Sequence, residues 1–78
     1  MTKQGFLKVY EDLTEGYTTN LINKDGFEIC VSFAYMENEG EYYFSAVAIK
    51  GGEIAHISEI LSGDGLEKFV INNGFEVC

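Results

Sequence analysis

Hydrophobic positions change their spacing along this chain. Between residues 3 and 15 they fall at helical intervals. Phe6, Val9, Tyr10 and Leu13 share one side, with Leu7 on the flank. Lys8, Glu11, Asp12 and Glu15 take the other. Thr2 stands where an N-cap belongs and Gly16 where a left-handed closing residue belongs. The spacing predicts a helix over 3–15. Gly5 weakens it by roughly 1 kcal/mol relative to alanine, and a strand over 6–10 is the competing reading.

From residue 17 the period shortens to two. Asn23-Lys24-Asp25-Gly26 has the chemistry of a type I turn with a left-handed glycine. It would join a strand over 17–22 to one over 27–36. In the second of these, Phe27, Ile29, Val31, Phe33 and Tyr35 alternate with Glu28, Cys30, Ser32, Ala34 and Met36. Glu37-Asn38-Glu39-Gly40 makes the next turn, into a strand over 41–50. Gly51-Gly52 is a two-residue hairpin turn of the primed type, into a strand over 53–60.

Turn lengths set the register. Gly51-Gly52 places Lys50 opposite Glu53, Ile49 opposite Ile54 and Val47 opposite His56. The turn at 37–40 places Phe33 opposite Phe44, Val31 opposite Ala46 and Ile29 opposite Ala48. The turn at 24–26 places Leu21 beside Ile29 and Tyr17 beside Phe33. One face then carries Tyr17, Leu21, Phe27, Ile29, Val31, Phe33, Tyr35, Phe44, Ala46, Ala48, Ala55 and Ile57, and its alanines leave room for a helix. Asp64 followed by Glu67 has the form of a capping box. Leu66, Phe69 and Val70 continue as an apolar stripe, and Asn73-Gly74 ends it. Residues 75–78 return as a short edge strand. The predicted class is α+β: a four-stranded antiparallel meander flanked by an N-terminal and a C-terminal helix, in one domain over residues 1–78.

The second sheet face is unusual. It would show Cys30, Ala34, Met36, Tyr43, Val47, Ile49, Ile54, His56, Ser58 and Ile60, too apolar for a face left to water. Three explanations compete. The helices split between the two faces, the chain dimerises there, or a partner docks there. Met36, Tyr43, Val47, Ile49, Ile54 and Ile60 are the candidate apolar interface.

Charge narrows the function classes. Thirteen acids and five lysines, with no arginine, give a net charge of −8 in 78 residues. Direct binding of nucleic acid would lack bidentate arginines and meet charge repulsion. An anionic membrane surface fails for the same reason. A basic protein partner stays open. No stretch approaches a membrane span or the apolar core of a signal peptide. The two cysteines, one of them at position 78, read as free thiols. The expectation is a complete cytoplasmic protein.

Candidate chemistry is sparse. His56 is the lone histidine, and Val47 would separate it from Cys30 by roughly 9–10 Å, too far for a nucleophilic pair. Two cysteines and one histidine cannot close a four-ligand zinc site within the chain. Residues 37–41 lack the aspartate spacing of a calcium loop. Gly63-Asp64-Gly65 lacks the lysine of a phosphate loop, and Asp64 would repel a phosphate. No catalytic set, metal or cofactor is expected. The acids instead gather as Glu37, Glu39 and Glu41 at one hairpin tip, and as Glu11, Asp12 and Glu15 along the first helix. A solvated acidic surface is the simplest reading. A surface that imitates phosphate spacing for a basic groove is the functional one, with these six acids as partner-binding residues.

In size, acidity and lack of a catalytic set, the whole chain resembles the small phage-encoded inhibitors of host defence, DNA mimics and anti-CRISPR proteins among them. The resemblance implies a non-enzymatic inhibitor or regulator of a basic, nucleic-acid-handling protein. The alternative is a homodimeric module that binds or sequesters a small ligand at its apolar sheet face.

Overall fold

The computed structural model describes residues 1–49 and 59–78 throughout, and the backbone alone of residues 50 and 53–58. The elements run α1 (Lys3–Thr14), β1 (Thr19–Ile22), β2 (Glu28–Asn38), β3 (Glu41–Lys50), β4 (Glu53–Ser62), α2 (Gly63–Asn72) and β5 (Glu76–Val77). The sheet is antiparallel in the order β4-β3-β2-β1-β5. This is the expected α+β meander with a helix at each end, and the short final strand lies beside β1. The Gly51-Gly52 turn and the side chains of Ile54, Ala55, His56 and Ile57 lie outside the described residues. No helix among the described residues is long and apolar enough to cross a membrane.

Local chemistry explains most element boundaries. Thr2 Oγ1 accepts the Gly5 amide at 3.0 Å and caps α1. The amide of Glu15 closes the helix onto the Glu11 and Asp12 carbonyls, and Gly16 follows at φ 98°. Between β1 and β2, the Asn23 carboxamide accepts the amides of Asp25 and Phe27, both at 3.0 Å. That side chain shapes the turn, so β2 starts one residue after Phe27. Tyr17 precedes β1 and is exposed, so the expected pairing with Phe33 does not form.

The cap of α2 differs from expectation. Strand β4 runs on to Ser62, and α2 begins with no loop between them. Ser62 Oγ, rather than Asp64, accepts the Gly65 amide at 3.1 Å. Asp64 sits in the first turn, where its charge suits the positive end of the helix dipole. Gly63 permits a close approach: a Cβ there would stand 3.1 Å from Tyr10 Cε2 of α1.

Leu21, Ile29, Val31, Phe44, Ala46 and Ala48 share one sheet face by register. They form one buried cluster with Phe6, Val9 and Leu13 of α1, Leu66 and Val70 of α2, and Phe75. Both helices therefore cover the same face. The alternative in which they split between faces is excluded, because the second face would need buried helix partners and has none among the described residues.

The predicted pairs Ile29↔Ala48, Val31↔Ala46 and Phe33↔Phe44 all form. Beyond Phe33 the register shifts, and Tyr35 pairs with Tyr43 while Met36 pairs with Tyr42. A bulge reverses which way the following side chains point. Tyr35, expected on the covered face, thus joins Tyr43 on the uncovered one. Met36, expected there, moves to the side of Tyr42. A second shift lies between Met36 and Asn38, and a third separates Val47↔Ser58 from Ile49↔Ile54. Four residue steps of β4 stand there against two of β3, so Val47 faces Ser58 and not His56.

Candidate functional site

The far half of β2 sets the scene. Strand β1 reaches β2 only as far as Val31. Beyond that point β2 pairs with β3 alone, and every residue from Phe33 to the turn is exposed. The β2–β3 hairpin therefore carries its tip beyond the cover of β1. Residues Glu39 and Gly40 form the turn, closed by the pair Asn38↔Glu41.

Glu37, Glu39 and Glu41 are all exposed on this tip. Two of them interact with neighbours. Glu41 Oε2 accepts from Asn38 Nδ2 at 3.2 Å. Glu37 acts on the Tyr43 hydroxyl: its charge first, then its hydrogen-bonding influence, raise the Tyr43 pKa above the ordinary phenol value, with smaller effects from desolvation, Glu41 and Tyr35.

The acids of α1 lie elsewhere. Glu11 and Glu15 are exposed and Asp12 is half-buried. Asp12 lines an open groove of about 660 Å³ with Gly5, Lys8, Thr18, Thr19 and Cys78. Helix α1 sits on the covered face, whereas Glu37 lies with Tyr43 on the other. The two acidic groups do not merge into one continuous patch.

The fold brings a different acid to the tip. Glu41 and Asp64 line a notch of about 310 Å³ with Tyr10, Tyr42, Tyr43 and Ser62. Tyr10 packs edge-on against Tyr42 and Phe44, at centroid distances of 6.5 and 5.4 Å. Its pKa is raised by burial first, then by the charges of Tyr42 and Asp64. Sequence reasoning assigned Asp64 to capping and Tyr10 to the helix core, so it missed both. Their meeting depends on α1 crossing the start of α2, which no local spacing encodes.

The uncovered face is the larger surface. Cys30, Ser32, Tyr43, Ser45, Val47 and Ile49 are half-buried on it by their neighbours within the sheet. Ile60, opposite Ser45, and Tyr35, opposite Tyr43, are exposed. The Tyr35 and Tyr43 rings stack at 4.9 Å with an interplanar angle of 13°. Of the candidate interface residues, Tyr43, Val47, Ile49 and Ile60 lie here, Met36 does not, and the Ile54 side chain is outside the described residues. The alternation from Phe27 to Met36 concealed Tyr35, because a bulge has no signature in that pattern.

Cys30 and Cys78 are free thiols. Among the described residues, no three His, Cys, Asp or Glu side chains come together as a metal site. Compared with protein-family models, curated proteins and solved structures, the chain matches none of them.

Proposed function

We propose that this chain is a small, acidic, non-enzymatic binding protein of the cytoplasm. It inhibits or regulates a basic, nucleic-acid-handling protein, in the manner of phage anti-defence proteins that mimic DNA or block CRISPR systems. One observation carries the reading: the exposed carboxylates Glu37, Glu39 and Glu41 sit on a hairpin tip that projects past its neighbouring strand. A net charge of −8 supports it, because a field of that sign speeds encounter with a basic groove. Asp64, beside Glu41 in the notch, extends the tip's charge.

The test begins with a pull-down from the cytosol of the native host, followed by affinity measurement on the partner recovered. The wild-type complex weakens steeply as salt rises. Glu37→Lys, Glu39→Lys and Glu41→Lys together lower affinity by about tenfold or more. Equal affinity in the triple variant overturns the proposal. The homodimeric, ligand-sequestering reading draws support from the uncovered sheet face. Sedimentation decides it, since a strict monomer at high concentration removes it.

A further inference from the structure

We infer that the uncovered sheet face is where the basic partner docks, and that the stacked Tyr35–Tyr43 pair receives an arginine side chain from it. This rests on the proposed function for the sign of the partner's charge, and adds the surface and the contact.

The chemistry of the pair suits a guanidinium. Two tyrosine rings lie parallel at 4.9 Å, and Tyr35 is 47% exposed. A guanidinium stacks on an aromatic face and is only weakly hydrated, so losing water there costs it less than it costs an ammonium. Glu37 stands beside the pair, near enough for its charge to act on the Tyr43 hydroxyl. A carboxylate next to an aromatic face offers the cation both a charge-assisted hydrogen bond and a ring.

Charge also decides between a partner and a second copy. The centre of the face is uncharged: Cys30, Ser32, Ser45, Val47 and Ile60. Carboxylates stand at its ends, Glu37 by the tip and Glu28 at the far end of β2. Lys3 and Lys8 belong to α1, Lys24 to the first turn and Lys68 to α2. The fifth lysine, Lys50, ends β3, and its side chain is outside the described residues. No described cation therefore lies on this face, and a two-fold copy would bring no described cation to Glu37 or to the tyrosines. A partner with an apolar centre and a basic rim answers both features. The size is adequate as well: a molecule of 37 × 26 × 19 Å presents its broad side on the scale of the ~800 Å² per partner of a standard interface.

The test titrates the full chain with a nona-arginine peptide, and in parallel with nona-lysine, while amide shifts are followed by NMR. Arginine-dependent shifts are expected at Tyr35, Tyr43, Ser45 and Val47. Tyr35→Ser with Tyr43→Ser leaves the charge unchanged, and lowers nona-arginine affinity by about tenfold and nona-lysine affinity much less. Ile60→Lys, on the same face and outside the core, also weakens binding. Circular dichroism checks that each variant folds. If both face variants bind like wild type while reversal of Glu37, Glu39 and Glu41 abolishes binding, this inference fails and the proposed function stands. If neither set matters, both fail. A dimer of the free protein that the tyrosine substitutions dissolve would assign the face to a second copy and overturn the inference.

Discussion

The two halves of β2 have similar patterns and opposite fates. Ile29 and Val31, in the near half, are fully buried under the helices with β1 and β3 on either side. Phe33 and Tyr35, in the far half, continue the same run of apolar positions and are 38% and 47% exposed. The near half has a strand on each side and both helices over one face. The far half has β3 alone beside it and no strand on its other edge. Alternation marks which residues are able to face a core, and burial follows only where other elements arrive to supply one. The exposed half also carries Tyr35 and leads into the tip with Glu37, Glu39 and Glu41.

The contrast is breakable by mutation. Phe44 is fully buried and touches Tyr10 and Phe33. Phe44→Ala is expected to cost about 3–5 kcal/mol in urea unfolding. Its partner across the strands, Phe33, is expected to cost only about 1 kcal/mol on change to Ala, because much of its ring already meets water. Comparable losses for the two would mean that the far half is buried in solution.

The cap of α2 gives a finer test of where β4 ends. Ser62→Ala removes the acceptor of the Gly65 amide and should cost about 1 kcal/mol. Asp64→Ala leaves that hydrogen bond intact and should cost a few tenths, through the helix dipole. The reverse order would restore Asp64 as the cap.

The smallest effect concerns pH. Burial raises the Tyr10 pKa in the folded state, so the unfolded chain ionises this group first as pH rises. Its contribution is fully present below the ordinary phenol value of ~10 and is lost as pH climbs through the folded value. Unfolding midpoints compared at neutral and strongly alkaline pH should show a loss that Tyr10→Phe reduces. On the uncovered face, Glu37→Gln should move the Tyr43 ultraviolet titration back toward the ordinary phenol value, since the Glu37 charge is the largest cause of its shift.

Local chemistry made much of this molecule legible in advance. The helical period of Phe6, Val9 and Leu13, the cap at Thr2, the alternation through Ile29 and Val31 and the Gly16 stop all depend on residues a few positions apart. Each could be read without knowing the rest of the chain. The pair Leu21↔Ile29 followed as well, because a short turn transmits register directly, and Val31↔Ala46 formed as expected because two register shifts offset a turn two residues tighter than the spacing implied. The acids of the tip were visible as a run of glutamates.

What only the tertiary structure decided involves contact between distant segments or a break in a regular pattern. Both helices settle on one face because their stripes share a single core with the alanines of β3. The bulge past Phe33 then carries Tyr35 across the sheet to Tyr43, an exchange of sides that period-two alternation cannot signal. Asp64 meets Glu41 and Tyr10 only because α1 crosses the start of α2 at Gly63. Sequence spacing sets which side of its own element a residue takes. Which neighbour it meets there is set by how the elements pack.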